Sequence, residues 1–460
     1  MQALEANQAS FDPAKGDPHA YLLAELKKAS DCLANETHHP GENFHSQNPL
    51  AALAQSHLSL QQQPAPKGSL ADEIPAVIDV FGEGNPVVWA PVMINILMEH
   101  LKPKADFRTA TDAKSYIAIP DQCRIALLGD WGADNDHAQH IAKLAAASGA
   151  NLAIHLGDIY YAGNQYECER FLANWPLPIA PGNSFALNGN HEMYSRGIPY
   201  FSTVLTRFGQ EASYFTLYNQ HWQLFGLDTA YVPFSIDGTV PADKPGFFRR
   251  IFDKLGASFH HHENFDAPPD ARLEAQWNWV KDKLVNTGTR KNIFLSHNQP
   301  VSAYLPEFTA GSFLQDQFHR LQQAIPGAEN GGKNIVHTWF FGHEHRGTIY
   351  RDDKTDYKAR LIGNGAIPHS RQAMTPPGHD ARNAPCTPVF TINNKALRPD
   401  LLGIHELDLA ISTFALLTLD GPDAYVEYIN EDGSLFLKEK LTGGPNEVLE
   451  WGPGYAPLTH

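Results

Sequence analysis

The residues able to do chemistry each follow a short apolar run. They are Asp130 in Gly129-Asp130, Asp158 in Gly157-Asp158, Tyr161 three positions later, and Asn190 and His191 in Gly189-Asn190-His191. His297 after Ser296, and His343 and His345 in Gly342-His343-Glu344-His345, complete the series. Asp130, Asp158 and Tyr161 are hard oxygen donors, and His345 adds an imidazole. A phenolate beside carboxylates favours a hard, highly charged ion, Fe(III) before others. Asn190, His297 and His343 form a more neutral set suited to Zn(II), Fe(II) or Mn(II). Two ions roughly 3.5–4 Å apart, the spacing used by two-metal hydrolases, need a bridging carboxylate, and Asp158 is the choice. His343 and His345 are two apart, so on a strand they share a face and on a loop they can flank the ion pair. Such a pocket keeps positive charge and attracts phosphate, although the chain carries −16 overall.

The runs that must position these donors are Arg124–Leu128, Leu152–Leu156, Phe185–Leu187, Ile293–Leu295 and Val336–Phe341. Short, mostly apolar and bounded by Gly and polar residues, they suit strands buried on both faces. Helical patterning lies between them. Ala138, Ile141, Leu144 and Ala145 fall at helical spacing with Gly149 placed to end the helix. Leu273, Trp277, Val280 and Leu284 do the same behind a Pro269-Asp270 start. Strands alternating with helices predict an α/β sheet whose loops past the strand C-termini gather on one edge, where the donors sit.

Singly, most of these residues have ordinary uses. Asp130 could cap a helix, Asn190 could serve a left-handed turn, and His297 could be a core histidine. His155, inside an apolar run, is expected to be buried with its hydrogen bonds satisfied. Asn364, between Gly363 and Gly365, is a candidate cleft residue or a plain turn. His260-His261-His262 suits a surface loop better than a further metal site. It is the joint pattern that points to a metal centre.

Composition bounds the rest. A 460-residue chain with 42% hydrophobic residues can build a large catalytic domain with added segments. The acidic balance, with no long basic run, argues against nucleic acid or an anionic membrane as partner. Cys32, Cys123, Cys168 and Cys386 show no metal spacing, so free thiols are expected. No secretory signal is visible, which favours a cytoplasmic location. The apolar stretch Val87–Met98, interrupted by Pro91 and Asn95, is too short to span a bilayer and suits a buried helix.

The organisation expected is an N-terminal extension over 1–120, helical and irregular, packing on the core; a catalytic domain over 121–445 with an insertion at 231–269; and a tail over 446–460. Residues 20–35 are expected to be helical, 40–70 a linker, and 371–400 loop-like. Phe414–Leu419, Ala424–Ile429 and Leu435–Leu437 are expected strands, the last two joined at the turn signal Asp432-Gly433.

The set GDWG, GDIYY, GNHE, FLSH and GHEH resembles the motif series of the calcineurin-like metallophosphoesterases, and within them the purple acid phosphatases. Tyr161, and Trp131-Gly132 where related phosphatases and nucleases carry a His two residues after the first Asp, mark that subgroup. The resemblance covers about 122–370 and more loosely extends to about 442. It implies an αββα sandwich of two mixed sheets flanked by helices. It also implies Fe(III) at Asp130, Tyr161 and His345, a divalent ion at Asn190, His297 and His343, and Asp158 as bridge. His191 matches the family's phosphate-contacting residue. Gln276-Trp277 and Gly226-Leu227-Asp228-Thr229 match intervening landmarks. The substrate-facing residues depart from the pattern: Arg346-Gly347-Thr348 follows His345, and Asn298, Gln299, Tyr304 and Glu307 stand where some relatives carry paired histidines.

Together these imply a two-metal hydrolase of small phosphate monoesters, working by in-line attack of a metal-bound hydroxide. The ions stabilise the phosphoryl charge. His191 protonates the leaving oxygen, worth about 10²–10⁴-fold. Glu192 is a candidate acceptor orienting a nearby His. The alternatives are a phosphodiesterase acting on cyclic nucleotides, phospholipid headgroups or nucleotide sugars, and a non-enzymatic scaffold.

Overall fold

A computed structural model describes residues 104–160, 163–231, 271–303, 335–352, 355–367, 388–392 and 409–453, with 321, 323, 371 and 455. The expected helices at 20–35 and Val87–Met98, Tyr161, most of the 231–269 insertion, Tyr304, Glu307, Cys32 and Cys386 lie outside the described residues.

The strand runs of the sequence become the centres of two mixed sheets. One holds β2 (Gln122–Leu128), β3 (Leu152–His155) and β4 (Ser184–Ala186), mutually parallel. It continues from β2 through antiparallel β12 (Thr413–Asp420), β13 (Asp423–Asn430), β14 (Leu435–Lys440) and β15 (Val448–Trp451). The other runs in the order β1 (Tyr116–Ala118), β5 (Phe215–Tyr218), β6 (Trp222–Leu227), β7 (Lys291–Ser296), β8 (Thr338–Phe341), β10 (Lys358–Ile362), β9 (Gly347–Tyr350) and β11 (Pro388–Thr391). Within it β6, β7, β8 and β10 are parallel.

Strand alternation separates three apolar layers. Ile125 and Leu127 of β2 and Ile293 and Leu295 of β7 point into the layer between the sheets. Ala126 and Leu128 face outward onto Ala138, Ile141 and Ala145 of one helix and Phe171 of another. Phe294, with Trp339 and Phe341 of β8, faces outward onto Val280 and Leu284. The sandwich therefore has helices on both outer faces.

The helices are α1 (Asp112–Ser115), α2 (Asp136–Ala147), α3 (Gln165–Ala173), α4 (Asn190–Tyr194), α5 (Leu205–Phe208) and α6 (Ala271–Val285), with a π-helical turn at Tyr200–Val204. Asn135 starts α2 by accepting the Ala138 N–H at 2.9 Å. Gly149, at φ 74°, turns the chain away after it.

Residues 104–119 lie against the catalytic region. Ala105 N–H donates to the Arg196 carbonyl at 3.0 Å, Phe107 stacks on Tyr214, and β1 pairs with β5. Cys123 and Cys168 are buried free thiols. Among the described residues no helix is long and apolar enough to cross a membrane.

Candidate metal centre

Each donor sits in the first residues past a parallel strand. Asp130 follows β2, Asp158 follows β3, Asn190 and His191 follow β4, His297 follows β7 and His343 and His345 follow β8. The two sheets present these C-terminal ends to one edge, as open α/β sheets do with their ligand sites. The turns there are tight: Asp130, Asp158, His343 and His345 all have positive φ, at 53°, 76°, 76° and 47°. Such backbone is uncommon outside glycine and concentrates at functional sites. Space is equally short. A Cβ on Gly189 would lie 2.2 Å from Asp158 Oδ1, and one on Gly342 would lie 2.4 Å from Asp130 Oδ2.

The side chains converge in two groups that share one carboxylate. Asp158, His297 and His343 offer donor atoms within 4.8 Å of one another, and so do Asp130, Asp158 and His345. In the first group His297 Nε2 lies 3.3 Å from Asp158 Oδ1, 3.1 Å from His343 Nδ1 and 2.9 Å from Asn190 Oδ1. In the second, His345 Nε2 lies 3.5 Å from Asp130 Oδ1. The surrounding backbone fixes these groups. His297 Nδ1 faces the Leu156 carbonyl at 3.0 Å, so the proton belongs on Nδ1 and the Nε2 lone pair faces the centre. His343 N–H donates to Asp130 Oδ2 at 2.7 Å, and His191 N–H to Asp158 Oδ1 at 3.1 Å.

The electrostatics suit cations. Burial, and then the neighbouring Asp158 carboxylate, push Asp130 well above the usual carboxylate range. Burial pushes Asp158 the same way, but His297, His191 and His343 outweigh it and hold Asp158 below that range. Asp158 is thus the ionised member of the pair. Burial, and then His297, lower His343 to about 3, and burial lowers His297. Adjacent carboxylates, neutral imidazoles and lone pairs aimed at one another fit two bound cations.

Tyr161 lies outside the described residues. Its neighbour Tyr160 brings a phenol oxygen to the second group, 2.8 Å from Asp130 Oδ1, 3.1 Å from Asp158 Oδ2 and 3.0 Å from His345 Nε2. Sequence reasoning did not single out Tyr160, which stands two residues after Asp158. His191 is 3% exposed, with Nε2 3.7 Å from Asp158 Oδ2.

Glu192 is fully buried, and its Oε2 accepts the backbone N–H groups of Asp158 at 3.1 Å and Gly189 at 3.2 Å. It therefore ties two donor-bearing turns together rather than orienting an imidazole. Asn364 is buried with its amide donating to the Ile411 carbonyl at 3.1 Å. The two landmarks meet: Asp228 N–H donates to Gln276 Oε1 at 2.9 Å, and Gln276 Nε2 to the Asp228 carbonyl at 3.1 Å. Against expectation, His155 is buried with neither ring nitrogen hydrogen-bonded among the described residues.

Residues 123–347 match the calcineurin-like phosphoesterase family. Among solved structures it is similar to GAP50, the anchor in the inner membrane complex of Plasmodium. Identity there is 13%, covering 72% of this chain and 90% of that one, at a TM-score of 0.42. A dimetal phosphatase from Danio rerio shares 14% identity, covering 67% of this chain and 95% of that one, at 0.37. The phosphopantetheinyl hydrolase of Mycobacterium tuberculosis shares 10% identity, covering 59% and 97%, at 0.31. No curated protein matches the sequence.

Proposed function

We propose that this chain hydrolyses small phosphate monoesters at a dinuclear centre of the purple acid phosphatase type. The observation that supports it is the pair of donor groups sharing Asp158. In this reading Asp130, His345 and a tyrosine hold Fe(III), while Asn190, His297 and His343 hold a divalent Fe, Zn or Mn ion. When bound, the ions supply Lewis-acid neutralisation of the phosphoryl oxygens.

The chain's own residues do the rest. Asp158 keeps both donor groups in register. The Leu156 carbonyl holds His297 in the tautomer with a free Nε2 lone pair. Glu192 fixes the turns carrying Asp158 and Asn190. Water adds to phosphorus, the ester oxygen leaves, and His191 gives that oxygen a proton that solvent then restores.

The test compares p-nitrophenyl phosphate with its bis-ester on protein carrying two metals. Faster turnover of the monoester is expected. A marked preference for the diester would replace this reading with the phosphodiesterase one, and inactivity on both would point to a scaffold. His191→Asn should lower kcat on the monoester by about 10²–10⁴-fold with metal content unchanged.

A further inference from the structure

The helix that carries Asn190 and His191 is too short to hold itself. α4 has five residues, and an isolated helix of that length is not stable in water. Its placement must come from contacts at its two ends. Before the start, Asn188 Nδ2 donates to the two oxygens of Asp228, at 3.2 and 3.3 Å. Past the finish, Arg196 turns the chain away at φ 61°, and its carbonyl accepts the Ala105 N–H at 3.0 Å.

Tyr231 joins the two ends. Its N–H donates to Asp228 Oδ1 at 2.9 Å, and its hydroxyl donates to the Ala105 carbonyl at 2.5 Å. Ala105 thus spends its acceptor on Tyr231 and its donor on Arg196, and the contacts around α4 close into a ring. Apolar packing backs this ring. Phe107 lies 5.0 Å from the Tyr231 ring and 5.6 Å from that of Tyr214, and Tyr231 meets Phe201 edge-on at 5.8 Å. Lys104 Nζ donates to the Tyr231 carbonyl. Residues 104–107 precede the stretch that matches the phosphoesterase family, which begins at 123, so the family match does not account for them.

We propose that residues 104–107 are a positioning strap. With Tyr231 they fix the far end of α4 and so set Asn190 and His191 against Asp158. Ala105, Phe107 and Tyr231 are positioning residues that act through the helix. This deepens the two-ion reading above and rests on it. The competing role is plain stability, in which the strap supports the whole fold and α4 no more than the sheets.

The experiment compares the full chain with Ala105→Pro, which removes the N–H bound to Arg196, and with Tyr231→Phe, which removes the hydroxyl and keeps the packed ring. Ala105→Ser keeps the N–H and should match the wild type. Hydrogen exchange of the metal-free proteins, followed by mass spectrometry, reads the backbone, and metal per chain at graded zinc concentration reads the donors. In Ala105→Pro and Tyr231→Phe, exchange over 190–197 should be about 2–10-fold faster, the worth of one hydrogen bond. Exchange in β2 and β7 should not change. The ion held with Asn190 should bind about tenfold more weakly, as when an outer partner of a metal ligand is lost, so metal per chain falls from two toward one.

Exchange over 190–197 at the wild-type rate overturns the proposal, and Tyr231→Phe decides the matter even if Ala105→Pro does not fold. Exchange that quickens equally in β2 and β7 also overturns it and leaves plain stability. Two metals held as tightly as in the wild type by a variant with a loosened α4 sink the positioning role but spare the two-ion reading. Fewer than two metals in the wild type at saturating zinc sink both.

Discussion

The structure buries charged side chains in two places, and it treats them oppositely. At the strand ends, Asp130 and Asp158 stand beside neutral imidazoles, and four of the donors occupy left-handed backbone. Between the sheets, Arg360 of β10 is fully buried within regular strand structure. Its Nε and Nη2 donate to the two oxygens of Glu439 on β14, both at 2.8 Å, and Nη1 to Asp352 Oδ1 at 2.9 Å. Tyr428 O–H donates to Glu439 Oε1 at 2.7 Å.

Burial alone would make Arg360 easier to deprotonate, but Glu439 and Asp352 reverse that and hold it more firmly charged. The guanidinium has its counter-charges supplied by the chain. The carboxylate pair at the strand ends does not. The difference separates a structural cluster from a binding one: a buried charge the protein completes stabilises the fold, and one it leaves incomplete is built for a ligand.

Replacing the shared carboxylate gives the largest expected contrast. Asp158→Asn should lose metal from both groups and drop hydrolysis to background, read by metal analysis and p-nitrophenyl phosphate turnover. The metal-free variant should melt close to the metal-free wild type, because the amide gives up the favourable histidine neighbours of Asp158 but also the cost of burying its charge. A clear fall in that melting temperature would mean that Asp158 is integrated like Arg360, and the contrast would fail.

Glu439→Ala should do the reverse. Removing one partner of a buried, hydrogen-bonded pair costs about 3–5 kcal/mol. Urea unfolding should show that loss while metal per folded chain stays at the wild-type value. Loss of metal at unchanged stability would invert the assignment of the two clusters.

The two clusters also differ in how far the sequence discloses them. The apolar runs at 124–128, 152–156 and 293–295 appear as β2, β3 and β7 within a residue or two, because parallel strands buried on both faces must be apolar throughout. The expected strands at 414–419, 424–429 and 435–437 appear as β12, β13 and β14. The donors were legible because each stands directly after such a run.

Backbone conformation was not: nothing in the types of Asp130, Asp158, His343 and His345 announces positive φ. Nor was the placement of the Tyr160 hydroxyl beside Asp130, on a turn whose backbone N–H donates to the Gly132 carbonyl. Arg360 on a strand looks like a solvent-facing charge until Glu439, 79 residues later, is brought opposite by the packing of the sheets. Short β9, β10 and β15 lack periodicity strong enough to be seen alone.

His155 gives the smallest of these effects and a third way of burying a polar group. It is fully buried, its ring lies against Phe171 at 4.8 Å and edge-on to Trp131, and neither nitrogen is hydrogen-bonded among the described residues. Burial lowers its pKa from the ordinary 6.5 to about 3. Only the unfolded chain therefore takes up a proton there as pH falls below about 6.5. Its contribution to stability is intact at neutral pH and is lost by about 1.4 kcal/mol per pH unit on the way down to about 3.

His155→Leu should be neutral or stabilising by about 1 kcal/mol at pH 7, where it removes an unsatisfied polar group. At pH 5 the gain should grow by about 2 kcal/mol as that proton uptake disappears. Urea unfolding at the two pH values measures both. An unchanged difference between pH 7 and pH 5 would show that the fold gives His155 a compensating partner, and it would then belong with Arg360 among the completed charges.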